Sequence, residues 1–342
     1  MRRQLLILML PGGSAEAAPD LYVGDAVVLD QGGAERSRAL PVALEQVLQK
    51  LTGLRQFDDY PLVDATLDRA PEMLLSYHYT TLTRTLSDGA GMEELHLVAR
   101  FAETAVDEMV RALQLPLWQP ARAPLVVWQI IDDGLGRRVM PVEFDYTRQA
   151  MTRVAELRGL PLEWPSPDEE GVFAVDEQIL WGGYTEDLVS PQGEGILIAA
   201  ARREGANWSV RINVGYQGQH WTWRLEELDL EAALVDGMQQ AVDQIAAVNS
   251  IAASDLGSWQ HEMTVAGLGG PDDYRRCLTY LQGISVVEGV AVVSAQPGAV
   301  TFRLALTALP RYLEEALDAG HVVERIEPGS DYALVAVIDD ER

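Results

Sequence analysis

The clearest candidate for catalytic chemistry is a pair of adjacent carboxylates, Asp132 and Asp133, which ends an apolar run typical of a buried central strand. In open α/β sheets ligands gather at the carboxyl ends of strands, and paired carboxylates can hold a cation or share a proton. Gly134 follows them, and Asp and Gly are also the residues that β-turns favour for backbone reasons. The pair is therefore either a catalytic centre or ordinary turn chemistry, and we favour the turn.

Two further groups are candidates for binding. The segment Trp181-Gly182-Gly183-Tyr184 places two aromatic side chains around a flexible pair, as in a binding loop or in a turn whose aromatics cover the core. Trp221 and Trp223 are two residues apart on a predicted strand, so they share one sheet face. They form a docking platform if that face is open, and they belong to the core, the interpretation we favour, if the predicted helix 231–253 covers it.

Recognisable catalytic motifs are absent from the sequence. It has no dinucleotide or phosphate-binding glycine motif, no G-x-S-x-G and no H-E-x-x-H, and its five histidines are dispersed. The lone Cys277 cannot form an internal disulfide or a cysteine-rich zinc site. We therefore predict no cofactor and no metal centre.

The amino-acid composition restricts the classes of molecule that the protein is expected to bind. The 342 residues include 52 acidic and 26 basic side chains, a formal charge of -26. This balance argues against binding to nucleic acid or to an anionic membrane surface, both of which need clustered basic residues. No run approaches the roughly 18 apolar residues of a membrane span.

The N-terminus is typical of an export signal. Arg2 and Arg3 precede a short apolar run, and a small-residue stretch ending at Ala17 and Ala18 follows. We expect residues 1–18 to be a cleaved signal peptide and the protein to be periplasmic.

Hydrophobic periodicity divides the rest into three units, giving a multi-domain α+β protein. Residues 20–119 predict a β-α-α-β-β-α sandwich, 124–255 a mixed three-layer α/β domain, and 257–338 a β-α-β-β-α-β domain of ferredoxin-like order. In the last unit, strand 299–306 alternates large apolar residues with smaller or polar ones. Arg303 therefore belongs to the face away from the core, a candidate partner surface.

Several runs resemble an uncharacterised envelope family of gammaproteobacteria, domain of unknown function 2066. These runs are Leu115-Pro116-Leu117-Trp118, Leu125-Val126-Val127-Trp128 with Asp132-Asp133-Gly134, Arg158-Gly159-Leu160-Pro161-Leu162, Leu180-Trp181-Gly182-Gly183-Tyr184 and Lys50-Leu51-Thr52-Gly53. The resemblance would cover about 20–330, and it implies an envelope location but no activity. More loosely, the middle unit is similar in topology to the N-terminal domains of periplasmic TolB-like and curli-secretion-like proteins, which bind envelope partners.

Three hypotheses about function follow. The leading one is a non-catalytic interaction or scaffold protein of the cell envelope, with an envelope protein as partner. The alternatives are an enzyme with a site at Asp132 and Asp133, and a glycan- or peptidoglycan-binding module that uses the tryptophans.

Overall fold

The computed structural model describes residues 20–120, 122–165, 175–188, 195–320, 322–326 and 331–335. The predicted signal peptide lies outside these residues. Within them helices and strands form three units with their own sheets and apolar cores, which confirms the predicted multi-domain α+β class.

The first unit is a three-stranded antiparallel sheet with the order β1-β3-β2, packed against helix α1. Its elements are β1 (Val23–Val27), α1 (Gly33–Thr52), α2 (Val63–Leu67), α3 (Ala70–Met73), β2 (Leu74–Thr85), β3 (Gly91–Phe101) and α4 (Glu103–Ala112). Helix α1 begins at Gly33 and continues through Pro41 to Thr52. Gly53 ends the helix with φ +70°, and a Cβ at Gly53 would lie 2.4 Å from the Cβ of Ala246, so a glycine is required on both counts.

The second unit has the three layers that its sequence predicts. Its elements are β4 (Leu117–Trp118), β5 (Leu125–Asp132), β6 (Arg137–Val139), α5 (Asp145–Arg158), β7 (Leu162–Glu163), α6 (Glu177–Gly182), β8 (Gly195–Glu204), β9 (Asn207–Tyr216), β10 (Gln219–Glu227), α7 (Leu230–Asn249) and β11 (Ser250–Ile251). The main sheet has the order β10-β9-β8-β5-β6, with β5 and β8 parallel. Helices α5 and α7 pack on one face and α6 on part of the other, so β5 is apolar on both faces.

Strands β8, β9 and β10 form an antiparallel meander, whereas β7 pairs with β5 over only two residues. Pro161 and Pro165 bracket that segment and remove two of the N–H groups that a longer ladder would need.

The third unit packs two helices on one face of its sheet. Its elements are β12 (Leu256–Leu268), α8 (Pro271–Gly283), β13 (Val287–Gln296), β14 (Gly298–Ala308), α9 (Pro310–Ala319), β15 (Val323–Arg325) and β16 (Asp331–Leu334). The sheet order is β13-β14-β12-β16-β15. The chain order through β15 is ferredoxin-like, but β16 inserts between β12 and β15 and runs parallel to β12.

Two arginines, the partly buried Arg122 and the buried Arg158, join the first and second units. Arg122 donates to the carbonyl oxygens of Lys50 and Gly159, which lie at the C-terminal ends of α1 and α5, and its guanidinium lies 3.8 Å from the centroid of the Trp118 ring. Helix C-termini carry partial negative charge, so the two ends stabilise the cation without a carboxylate. Burial lowers the pKa of Arg122 to about 9, which leaves it protonated at neutral pH.

Arg158, at the end of α5, is only 1% exposed. It donates to the carbonyl oxygen of Gly53, to Asp243 Oδ1 and to Gln239 Oε1, each at 2.6 Å. One guanidinium therefore links the end of α1 to both α5 and α7.

Candidate functional site

Asp132 and Asp133 hold the turn that follows β5. Asp132 Oδ1 accepts a hydrogen bond from the amide of Gly134, and Asp133 Oδ1 accepts one from the amide of Leu135, both at 3.2 Å. Burial tends to raise the pKa of Asp133, but the Leu135 amide and the Arg138 guanidinium, 2.8 Å away, outweigh it and lower the pKa. Asp133 is therefore a carboxylate at neutral pH, with turn and ion-pair contacts that leave it poorly suited to deliver a proton.

Two arginines lie between Asp132 and the ring of Trp181. Arg202 Nε lies 3.6 Å from Asp132 Oδ2, and the Arg202 guanidinium lies 4.9 Å from the centroid of the Trp181 ring. Arg137, the neighbour of Asp132 on β6, lies 4.3 Å from the same ring. Two motifs that the sequence treats separately thus form one cluster, in which the indole contacts two cations.

Gly182 and Gly183 end α6 against the outer face of β9. Gly183 has φ +78°, and a Cβ there would lie 2.3 Å from Asn213 Oδ1, so only glycine permits this approach. Trp181 is partly buried, whereas Tyr184 is 52% exposed. The segment is a tight helix end that covers the sheet with Trp181 and leaves Tyr184 at the surface.

Trp221 and Trp223 lie on the opposite face of the main sheet, towards α7. Both are partly buried and pack against the central core, opposite Val214 and Ile212 of β9. Their rings are therefore core contacts of α7 and not an open platform.

Arg303 lies on the helix-free face of the third sheet. It forms two hydrogen bonds to Glu262 Oε1, at 2.9 and 2.7 Å, and both side chains are about half exposed. Val300, Phe302, Leu304 and Leu306 of the same strand are buried on the helix side. Arg303 thus marks a polar, solvent-facing sheet surface.

A group of ionisable side chains around the buried His96 lies between the first two units, and the sequence analysis does not identify it. The Nδ1 atom of His96, on β3, lies 2.7 Å from Asp25 Oδ2, and its Nε2 lies 3.4 Å from Glu94 Oε2. Arg153 of α5 also donates to Asp25. Burial tends to raise the pKa of Asp25, but Arg153 and His96 outweigh it, and the pKa is lowered.

Glu94 and His96 of β3 and Arg153 of α5 line a cleft of about 930 Å³ between the outer face of the first sheet and helices α5 and α7. Arg84 of β2 pairs with Glu231 of α7 across it. Within the described residues, the hydrogen-bond partners of the His96 ring are the carboxylates of Asp25 and Glu94. The arrangement acts as an ionic contact between units.

The described residues also bear on metals and membranes. They contain no group of three or more His, Cys, Asp or Glu side chains arranged to hold a metal ion. Among the helices in the described ranges, none is long and apolar enough to cross a bilayer.

Comparison with known proteins finds an uncharacterised domain. Residues 15–119 match the model of a domain of unknown function, DUF8605. No curated protein matches the chain significantly. Among solved structures, the N-terminal domain of Thermus thermophilus Protein Y is 13% identical, covers 37% of this chain and 99% of its own, and has a TM-score of 0.21. A structure described as an uncharacterized protein is 13% identical over 37% of this chain and 93% of its own, with a TM-score of 0.15. Both scores are too low to carry an argument.

The predicted resemblance to domain of unknown function 2066 is wrong, since the model that matches is that of another family. Most of the runs on which the resemblance rested lie after residue 119. Their Asp-Asp-Gly and Gly-Gly elements form a turn and a helix end here, and such backbone chemistry recurs in unrelated folds. What the comparison supports is a domain of unknown function at the N-terminal end of the chain.

Proposed function

We propose that the protein is a non-catalytic interaction protein of the bacterial cell envelope, which acts in the periplasm after removal of residues 1–18. The observation that carries the proposal is the uncovered sheet of the third unit. Its outer face presents Arg303 and Glu262 to solvent, and β13 stands at the end of the strand order.

Strand β13 has an outer edge that can accept another strand, and its pairing with β14 is regular except for register shifts at 287–289 and 292–294. It runs for ten residues, and the described residues place no strand along its outer side. Val292 and Val293 are both about half exposed near the tip of the β13-β14 hairpin. An exposed edge with apolar side chains and without lysine or proline is a template for strand addition, in which backbone hydrogen bonds supply affinity.

The alternatives are less well supported. The enzyme hypothesis needs Asp132 and Asp133 free for chemistry, but turn amides and arginines bind them. The glycan hypothesis needs Trp221 and Trp223 open, but both pack against the core.

The proposal is tested by crosslinking in living cells. A photo-crosslinking amino acid replaces Val293, which is 43% exposed, or, as a control, Val42 on α1, which is 46% exposed. We expect a discrete adduct with another envelope protein from position 293 and none from position 42. An additional lysine at position 292, Val292→Lys, should abolish the adduct because a charged edge resists pairing.

Two results would contradict the proposal. One is the absence of any adduct from position 293, or equal adducts from both positions. The other concerns export: the proposal requires a periplasmic protein whose N-terminus follows Ala17 or Ala18, so an intact Met1 on a cytoplasmic protein would exclude it.

A further inference from the structure

Two arginines face each other on the outer side of the main sheet. Arg211 of β9 and Arg224 of β10 are direct cross-strand neighbours, so their Cβ atoms lie roughly 5 Å apart. Within the described ranges no carboxylate forms an ion pair with either of them, although Glu226 lies two residues further on the same face of β10. Like charges directly opposite one another destabilise a sheet, and this pair is uncompensated in a protein of net charge -26.

Neutral groups fix the position of Arg211. It donates to the carbonyl oxygen of Trp181 and, through Nε, to Asn213 Oδ1 at 3.0 Å. The Asn213 amide then donates to Thr222 Oγ1 at 2.8 Å. Burial and the charge of Arg224 lower the pKa of Arg211. The guanidinium is thus oriented before any ligand arrives, which reduces the entropy lost on binding.

A pocket of about 500 Å³, within the range of small-molecule sites, lies next to the arginines on the same sheet face. Neither arginine belongs to its lining, but Asn213, which binds Arg211, and Thr222, two residues before Arg224, do. Its wall contains Asn213, Thr222 and His220 from the sheet and the exposed ring of Tyr184 from the end of α6. These groups donate and accept hydrogen bonds, and Tyr184 adds a flat apolar surface. The acidic side chain in the wall is Glu186.

We propose that this pocket binds an acidic sugar or a similar hydroxyl-bearing anion. Its carboxylate or phosphate binds between Arg211 and Arg224, because a guanidinium fork matches both groups. Its hydroxyl groups bind Asn213, Thr222 and His220, and its ring lies on Tyr184. The site is on the second unit and does not depend on the proposed strand pairing at β13.

The test uses the full chain and four probes, D-glucuronate, D-glucose 6-phosphate, D-glucose and inorganic phosphate, in titrations followed by calorimetry and by ligand-observed NMR. We expect at least one of the two anionic sugars to bind. Glucose lacks the anionic group and inorganic phosphate lacks the sugar ring, so each of these should bind about tenfold more weakly. Preference for glucuronate or for the phosphate ester distinguishes a carboxylate from a phosphate as the natural group.

Matched variants locate the binding. Arg224→Glu should weaken binding of the anionic sugar about tenfold or more. Arg203→Glu makes the same charge change on the opposite face of the sheet, beside Trp208, and should leave affinity unchanged. The proposal is wrong if neither anionic sugar binds, if glucose or inorganic phosphate binds equally well, or if the two variants behave alike.

Discussion

Replacing Arg158 by methionine tests whether this buried arginine holds the first two units together. Methionine keeps an unbranched apolar stem of similar reach but cannot donate hydrogen bonds. The variant leaves the carbonyl oxygen of Gly53 without its partner and removes the ion pair with Asp243. The guanidinium also binds Gln239, so three acceptors on two elements lose one donor group.

The magnitude follows from those contacts. An unsatisfied buried carbonyl costs about 1–3 kcal/mol, and a hydrogen bond to a charged group contributes about 1.5–3 kcal/mol. Asp243 is 36% exposed, so water compensates part of its loss. We therefore expect the free energy of unfolding to fall by about 3 kcal/mol, the lower end of the range for breaking a buried ion pair.

Urea denaturation followed by tryptophan fluorescence measures this change, since Trp118, Trp128, Trp208 and Trp223 report on the second unit and its boundary. With a denaturant slope of about 2–3 kcal/mol/M, the midpoint should fall by about 1–1.5 M.

Arg55→Met is the matched control. Arg55 pairs with Asp236 of α7 across the same boundary, but the N–O distance is 3.6 Å and both side chains are about half exposed. Such a pair contributes about 0–1 kcal/mol. Equal midpoints for the Arg158 and Arg55 variants, or no change in either, would refute the assignment of Arg158 as the link.

Three further predictions follow from single sites. The double variant Asp132→Asn, Asp133→Asn should fold and keep its function in cells, as a complementation assay of a deletion strain would measure; loss of function in a variant that accumulates normally would restore the enzyme hypothesis. Because the pKa of Asp25 is lowered on folding from its ordinary value of 3.8, its contribution to stability is present above that pH and is lost as the pH falls through the folded pKa. In acid denaturation, the free energy of unfolding of Asp25→Asn should therefore fall less than that of the wild type below about pH 4. If the two proteins show the same dependence of this free energy on pH, the contact between Asp25 and Arg153 does not contribute to stability. Burial raises the pKa of the Cys277 thiol to about 11, so a thiol reagent at pH 8 should react with the denatured protein only, and fast labelling of the native protein would contradict the buried position.

Local chemistry was enough to predict much of this fold. The alternation from Val300 to Leu306 assigns the buried face of β14 correctly, since strand side chains alternate between faces. A glycine such as Gly53 is typical of the residue that follows a helix, and it ends α1 with a left-handed backbone. The residues that determine these features lie within a few positions of one another, so the local sequence pattern is sufficient to predict them.

Contacts between distant segments were not predictable in this way. Asp25 and His96 lie 71 residues apart, and Asp25 and Arg153 lie 128 apart. The available signal was a charged residue in the middle of the short strand β1, which indicates a buried partner but does not identify it. The contacts of Arg137 and Arg202 with Trp181 were not predictable for the same reason, because the two arginines lie on strands on either side of β5.

The position of Arg122 has a consequence for the order in which the chain acquires structure. Residues up to 119 leave the ribosome before this arginine does, and until then the carbonyl oxygen of Lys50 lacks the donor that it has in the native protein. The last turn of α1 should accordingly remain frayed on a nascent chain of that length, since helix-end carbonyls need partners. The C-terminal end of α5 binds the same guanidinium. Two helix ends that lie more than ninety positions apart in the sequence thus share one donor, and we expect the Lys50 carbonyl to gain its native partner only after the second unit has been synthesised.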